Sequence, residues 1–204
     1  MENELNIQKF GYTEMYEWDQ KVFSIQVKNL IGKFVTFDKE NHSKITLAHD
    51  DDYILGVSTV CALETSDDPD EWKYAYLCNE YGDLYLKKEK LAVGSKVYDQ
   101  KMEMNYIKTY PWEHYIKIES QYYDKEKNYV KRSNRQEWMR VNLVGKVIVE
   151  DNGKCVPGEF CTVYSGKIKE KWGTAIPYDS KKHKNEKFYV LERISDNTIL
   201  IVNK

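Results

Sequence analysis

Two carboxylates stand among aromatic side chains near the start of the sequence, in the run Gly11-Tyr12-Thr13-Glu14-Met15-Tyr16-Glu17-Trp18. Glu14 and Glu17 are three residues apart, and a helix over residues 5–21, the best helix candidate of the chain, sets both on one face. Aromatic walls desolvate a carboxyl group and raise its pKa, which is how an acid becomes a general acid or base near neutrality. The competing reading makes Glu14 and Glu17 ordinary surface acids while Tyr12, Met15 and Trp18 pack inward. Residue types alone leave both open.

The remaining chemistry-bearing residues form weaker patterns. There is no GxSxG, HExxH, GxGxxG or phosphate-loop signature. His42, His49, His114 and His183 are scattered among polar residues and read as solvated loop positions. Cys61, Cys78, Cys155 and Cys161 include no CxxC pair and have no histidine at metal spacing, so neither a zinc site nor any other metal or cofactor is expected. A Cys155–Cys161 bridge fits across a turn, but buried free thiols are the favoured reading. Asp50-Asp51-Asp52 lacks the spaced ligands and glycine of a calcium loop and reads as a solvated turn. Lys181-Lys182-His183-Lys184 reads as an exposed hairpin tip, with phosphate binding as its alternative.

The elements that must position these residues are mostly strands. Tyrosine alone occurs 17 times, and it favours pleated, half-buried surfaces, as do valine and isoleucine. Residues 33–38 and 44–48 alternate with period two and form a hairpin, and 53–60 is nearly continuously apolar, as in a strand buried on both faces. The acidic, proline-containing stretch 64–71 is expected to be a surface loop, and residues 69–76 a short second helix capped by Asp68. A turn at 79–83 joins 74–78 to 84–87, whereas 101–135 shows the least regular pattern. Asn152-Gly153 lies between the runs 141–150 and 155–164, a strong hairpin signal, and 188–194 with 198–202 closes the chain in another. The expectation is one mainly β domain over 1–204, an α+β class with minor helix built from antiparallel hairpins, with residues 1–10 a flexible lead-in. The balance of 31 basic against 33 acidic residues offers no field for nucleic acid or an anionic membrane. No apolar run approaches the ~20 residues of a spanning helix, and no signal peptide is visible, so a cytoplasmic chain is expected.

The run Tyr12-Thr13-Glu14-Met15-Tyr16-Glu17-Trp18 resembles the aspartate-tyrosine-alanine-glutamate-x-phenylalanine-glutamate-tryptophan motif that opens the peptidase G2 domains. These are autoproteolytic intramolecular chaperone domains at the C-terminus of phage neck-appendage and tail-spike proteins. Later segments follow the family's order. Gly32-Lys33-Phe34-Val35-Thr36 is similar to its glycine-tyrosine-phenylalanine-valine-threonine strand, and Asp51-Asp52-Tyr53-Ile54-Leu55-Gly56 to its aspartate-aspartate-tyrosine-isoleucine-leucine-glycine element. Glu137-Trp138, Gly145 and Asp151-Asn152-Gly153-Lys154-Cys155 match further landmarks, and 190–202 matches the closing hairpin. The resemblance implies a homotrimer that aligns an upstream fibrous or virion segment in the host cytoplasm and then releases itself by a glutamic-type self-cleavage near its N-terminus. Glu14 would act as general base or acid and Glu17 as its partner. Two departures bear on activity: the motif aspartate falls on Gly11, and residues 1–10 offer no hydroxyl where the family's scissile junction commonly does. A naturally released domain is not expected to begin with its own Met, so Met1 just ahead of the motif points to an engineered excerpt or a stand-alone relative. A non-catalytic oligomerisation or decoration module of a virion is the main alternative, and a small-ligand-binding β-domain a further one.

Overall fold

The structure, a computed structural model, describes residues 11–19, 30–49, 52–70, 72, 75–94, 96–99, 104–107, 112–184 and 186–203. It is mainly β. Among the described residues, helix is confined to 3-10 turns such as Arg132–Asn134 and Lys169–Lys171. Two compact units are present, one of Met1–Pro69 with Val130–Lys204 and one of Asp70–Tyr129.

In the first unit, β1 (Tyr12–Trp18), β2 (Phe34–Phe37), β3 (Lys44–Leu47), β4 (Gly56–Thr59) and β10 (Trp138–Glu150) pair in the cyclic order β10-β4-β2-β3-β1 and back to β10. Closure leaves these strands no free edge, which is how small β-proteins avoid edge-to-edge association. One core cluster joins Trp18, Leu30, Val35, Ile45, Leu47, Met139 and Val141, with Tyr16, Leu55, Leu143 and Trp172 packed against it. Burying Trp18, which is 1% exposed, removes roughly 200 Å² from water, worth about 5 kcal/mol as an upper estimate.

β10 is longer than the ring needs. Its first half pairs with β1 and β4, while Gly145–Glu150 pairs with β14 (Thr198–Asn203). From β14 an open sheet runs on through β13 (Phe188–Ser195) and β11 (Phe160–Val163) to β12 (Ala175–Pro177). A second core cluster fills this side, including Phe34, Val57, Val147, Val149, Cys161, Val163, Phe188, Val190 and Ile201. Phe34 and Phe188 pack ring on ring at 4.8 Å. Asp151, at the end of β10, is held by a two-pronged contact from Arg193 of 3.2 and 3.0 Å and by the Cys155 N–H at 3.1 Å.

In the second unit, β6 (Leu86–Leu91) pairs with β9 (Trp112–Lys117) and β7 (Lys96–Asp99) with β8 (Met104–Ile107), each a two-stranded antiparallel ribbon. Regular strands therefore occupy part of the stretch whose pattern is weakest.

Several sequence expectations hold. The β2–β3 hairpin forms and β13–β14 closes the fold, whereas the strand expected over 53–60 is confined to β4, which is buried throughout while Tyr53 and Val60 are exposed. Others are corrected. Residues 12–18 of the expected helix over 5–21 are strand β1; the rest of that span, apart from Gly11 and Asp19, lies outside the described residues. Met15 and Trp18, three residues apart, would share one helix face. In the strand they are buried on opposite faces, because β1 is paired along both edges and the tertiary pairing decides for strand. No helix forms among the described residues of 69–76. Asp68 caps elsewhere, accepting from the Ser133 N–H at 3.0 Å. The expected surface loop 64–71 begins with β5 (Glu64–Ser66), which lies parallel to β1, so the pairing is not purely antiparallel. Asn152-Gly153 makes its turn, with Gly153 at φ +79° and the Lys154 N–H on Asn152 Oδ1 at 3.1 Å, yet no hairpin follows. β11 pairs with β12 and β13, and β10 with β14. All four cysteines are free thiols, with Cys155 and Cys161 buried.

Candidate functional site

β1 carries the motif through the interior of the sheet. One edge pairs antiparallel with β10, matching Thr13 to Asn142, Glu14 to Val141, Tyr16 to Met139 and Glu17 to Trp138. The other pairs parallel, with Glu14 opposite Ser66 of β5 and Trp18 opposite Ile45 of β3. Threonine hydroxyls fasten the start of the strand: Thr13 Oγ1 donates to the Glu64 carbonyl at 3.0 Å and lies 2.9 Å from Thr65 Oγ1.

Because the register from Thr13 to Glu17 is unbroken, the strand period of two turns Glu14 and Glu17 to opposite faces. Glu14 shares its face with Tyr16, Trp18 and the buried Val141. Its Oε2 accepts a 2.7 Å hydrogen bond from the Tyr16 hydroxyl. Burial first, and then this bond to the Glu14 carboxylate, hold the Tyr16 phenol well above its usual range. Glu17 instead accepts from Lys44 Nζ at 2.7 Å, a half-buried ion pair. The fold thus brings Tyr16 to Glu14 and takes Glu17 away to Lys44.

A different acid stands on Glu14's side. Asp67 follows Ser66, the strand partner of Glu14, and its negative charge is felt at Tyr16 along with that of Glu14. Asp67 is the one non-glycine residue with positive φ among the described residues, at +54°, and Arg132 reaches both its carboxylate and its carbonyl oxygen. Strained backbone of this kind persists where the surroundings over-determine it. Sequence reasoning passed over Asp67 as one more acid of a solvated stretch. The signal available was its place between two other polar residues in Ser66-Asp67-Asp68, directly before Pro69.

Gly11, at the position of the motif aspartate, has φ +69°. An added Cβ there would lie 2.0 Å from Asn142 Nδ2 and 2.5 Å from the Val144 carbonyl. Asn142 is fully buried, its Nδ2 donating to the Val144 carbonyl at 3.3 Å while Asn203 Nδ2 donates to its backbone oxygen at 2.8 Å. Gly145 closes the other side, its own added Cβ falling 2.8 Å from Gly11 Cα. This corner has been filled by packing that leaves no room for a side chain.

The other residues singled out by their chemistry fall elsewhere. His49 is not a solvated loop residue: its Nδ1 lies 2.6 Å from Asp52 Oδ2 and its ring 3.9 Å from that of Trp172. Asp52 is likewise no solvated turn residue, its side chain being 8% exposed. Burial would raise its pKa, but Lys39 and His49 hold it below the usual carboxylate range. Asp50 and Asp51 lie outside the described residues, as does the His114 side chain, and His42 is exposed. The lysine-rich turn is internally satisfied, with Lys181 N on Asp179 Oδ1 at 2.9 Å, Lys182 Nζ 3.3 Å from Asp179 and the Asp179 N–H donating to His183 Nδ1 at 2.9 Å. Lys182 and His183 line an open cleft of about 460 Å³ with Tyr164, Lys171 and Tyr178. Among the described residues no group of three His, Cys, Asp or Glu side chains gathers to hold a metal ion.

Comparison with known proteins agrees with this architecture. The fold is similar to that of the pre-mature bacteriophage phi29 gene product 12, with a TM-score of 0.64 and 20% identity, covering 95% of this chain and 21% of that one. The chain thus spans about a fifth of that protein's length. It is also similar to the C-terminal fragment of the same phage protein, with a TM-score of 0.59 and 20% identity, covering 95% of this chain and 99% of the fragment. No curated protein matches the sequence. The family model for peptidase G2, described as the IMC autoproteolytic cleavage domain, matches residues 6–188. A match that takes in the β1 motif, the ring of strands, β11 and β12 places the chain plainly: it belongs to the peptidase G2 family.

Proposed function

We propose that this chain is the intramolecular chaperone and assembly domain of a viral fibre or virion protein, working as a homotrimer in the host cytoplasm. The observation that carries the reading is the family match over residues 6–188, with its motif built into a doubly paired strand of a closed ring. The phi29 protein, of which a C-terminal fragment shares this fold, offers a parallel for such a domain at the end of a longer chain. Trimerisation suits a helper of this kind, because it raises effective concentration and fixes the register of long-range β-structure that pairs slowly. Release by cleavage then removes the reverse path and leaves the assembled fibre kinetically trapped.

In the cleavage step Glu14 acts as the general base. Its carboxylate takes a proton from water, the oxygen attacks a peptide carbonyl upstream of β1, and the proton passes to the departing amine as the C–N bond breaks. Tyr16 positions Glu14, and Asp67, fixed by Arg132, supplies the second negative charge that Glu17 does not. The test is expression with the natural upstream segment: two fragments are expected, and Glu14→Gln is expected to stop the cut while leaving the unfolding transition unchanged. An unaltered fragment pattern removes Glu14 from the mechanism.

A second reading, a non-catalytic oligomerisation module, is favoured by the closed corner at Gly11, where the motif aspartate has no room. Persistence of the uncut chain for days, with upstream residues present, decides for that reading.

A further inference from the structure

Asp70–Tyr129 is a compact unit whose described residues bury little apolar surface. Among its described residues, Ala75 is the only buried apolar side chain. Its large apolar residues face outward instead: Tyr81 and Tyr122 are each 84% exposed, Tyr115 66%, Leu86 53% and Tyr85 52%. Two-stranded ribbons are marginal in water, and stability needs further strands or a covered apolar face. Along β6 and β9, Leu86, Lys88 and Lys90 share one face with their partners Lys117, Tyr115 and Glu113, so Leu86 and Tyr115 are diagonal neighbours on an uncovered face.

We propose that this unit is the surface through which the chain self-associates, a second copy covering the Leu86–Tyr115 face and the tyrosine-bearing turn at 79–83. The assignment rests on the self-association reading above and adds the surface to it. Charge identifies the occupant. Residues 70–129 hold ten lysines and eleven acids, so the unit presents no net field for nucleic acid or an anionic membrane. Within it the charges separate. Strand β6 carries Lys87, Lys88 and Lys90 against Glu89, whereas the turn at 79–83 carries Glu80 and Asp83 with no cation. The acidic turn of one copy matches the basic strand of the next, a head-to-tail contact of the kind that closes into a ring. The ion pairs Lys88–Glu113 and Lys87–Glu89 that these lysines make within the chain are solvent-exposed and weak enough to exchange. At about 200 Å² per aromatic side chain, Tyr81 and Tyr115 leave roughly 300 Å² of this surface uncovered. Tyrosine is also enriched at interfaces, where its apolar ring and polar tip both find use.

The experiment is native mass spectrometry of the full chain over a dilution series, with amide exchange read in parallel. Leu86→Glu/Tyr115→Glu is expected to weaken association at least tenfold, whereas Ile148→Glu, at an exposed apolar position of β10, leaves it within twofold. Exchange in β10 and β14 reports that the variants remain folded, and exchange in β6 and β9 is expected to slow with concentration in the unaltered chain only. A charge exchange guards against local unfolding as the explanation. Glu80→Lys/Asp83→Lys and Lys88→Glu/Lys90→Glu should each weaken assembly, and all four in one chain should restore it. A chain that assembles but is indifferent to these changes overturns the surface and leaves the assembly reading standing. A chain monomeric at every concentration overturns both.

Discussion

Placing a methyl group at Gly11 tests whether the corner beside β1 is as closed as its contacts imply. At φ +69° a side chain meets the left-handed penalty of about 1–2 kcal/mol. The added Cβ must also displace Asn142 Nδ2 from 2.0 Å and the Val144 carbonyl from 2.5 Å. Overpacking of this kind costs about 1–3 kcal/mol. Gly11→Ala is therefore expected to lose about 2–5 kcal/mol, a large part of the 5–15 kcal/mol that holds a typical domain folded. Gly11→Asp should lose at least as much and should not create a working acid. Equilibrium urea unfolding, followed through the fluorescence of buried Trp18, measures the loss, with the slope expected to stay constant. Asn142→Ala alone removes the Nδ2 bond to Val144 and the 3.3 Å contact from Asn203, for about 1–3 kcal/mol. Combined with Gly11→Ala it should cost at least about 1 kcal/mol less than the sum, because the 2.0 Å contact has gone while that with Val144 remains. A loss below about 1 kcal/mol for Gly11→Ala, or strict additivity with Asn142→Ala, would refute the reasoning.

Further outcomes follow from the buried polar groups. Burial would raise the pKa of Asp151, yet Arg193 and the Cys155 N–H hold it below the carboxylate range. A lowered folded-state pKa stabilises above the unfolded value of 3.8 and is lost as pH falls through the folded one, so acid unfolding should steepen below about pH 4. Arg193→Met strands the carboxylate and should cost about 3–5 kcal/mol at pH 7, with the gap to the unaltered chain narrowing in acid, as urea titrations across pH would show. Tyr16→Phe should cost about 0.5–1.5 kcal/mol by urea unfolding, and in the unaltered chain Tyr16 should ionise late in an alkaline absorbance titration. In thiol labelling, exposed Cys78 should react first. Cys155, pushed up by its contact with Cys161 and by burial, should react only on unfolding.

What the sequence discloses is what neighbouring residues decide between themselves. Alternation in 44–48 predicts β3, which buries Ile45 and Leu47 as its pattern marks. β2 buries Phe34, Val35 and Thr36 in a row, but the short turn between them fixes the hairpin, and the closing hairpin is equally local. β1 is illegible for the opposite reason. Its partners lie from Lys44 to Val144, and two of its three ladders lie on strands distant in sequence and run parallel to it. Asn152-Gly153 turns as its residue types require, but Arg193 ties Asp151 into the far end of the sheet, and the chain leaves without doubling back on β10. The site divides the same way. Glu14 is found from its aromatic neighbours, whereas the separation of Glu17 follows from strand period, and Asp67 from the parallel register of β5 on β1. Neither can be seen until the pairing is known.

The division of β10 between two sets of partners orders events during synthesis. Its first half can pair as soon as Arg140–Val144 is available, since β1 and β4 have been made long before. Its second half, with Val147, Ile148 and Val149, has no partner until Thr198–Asn203 leaves the ribosome. Until then those residues form an open edge of strongly β-forming side chains, the kind of surface that waits for another strand. Completion of the sheet therefore acts as a clock. Any peptide bond upstream of β1 whose cleavage depends on the finished sheet stays intact until the chain has been translated through β14.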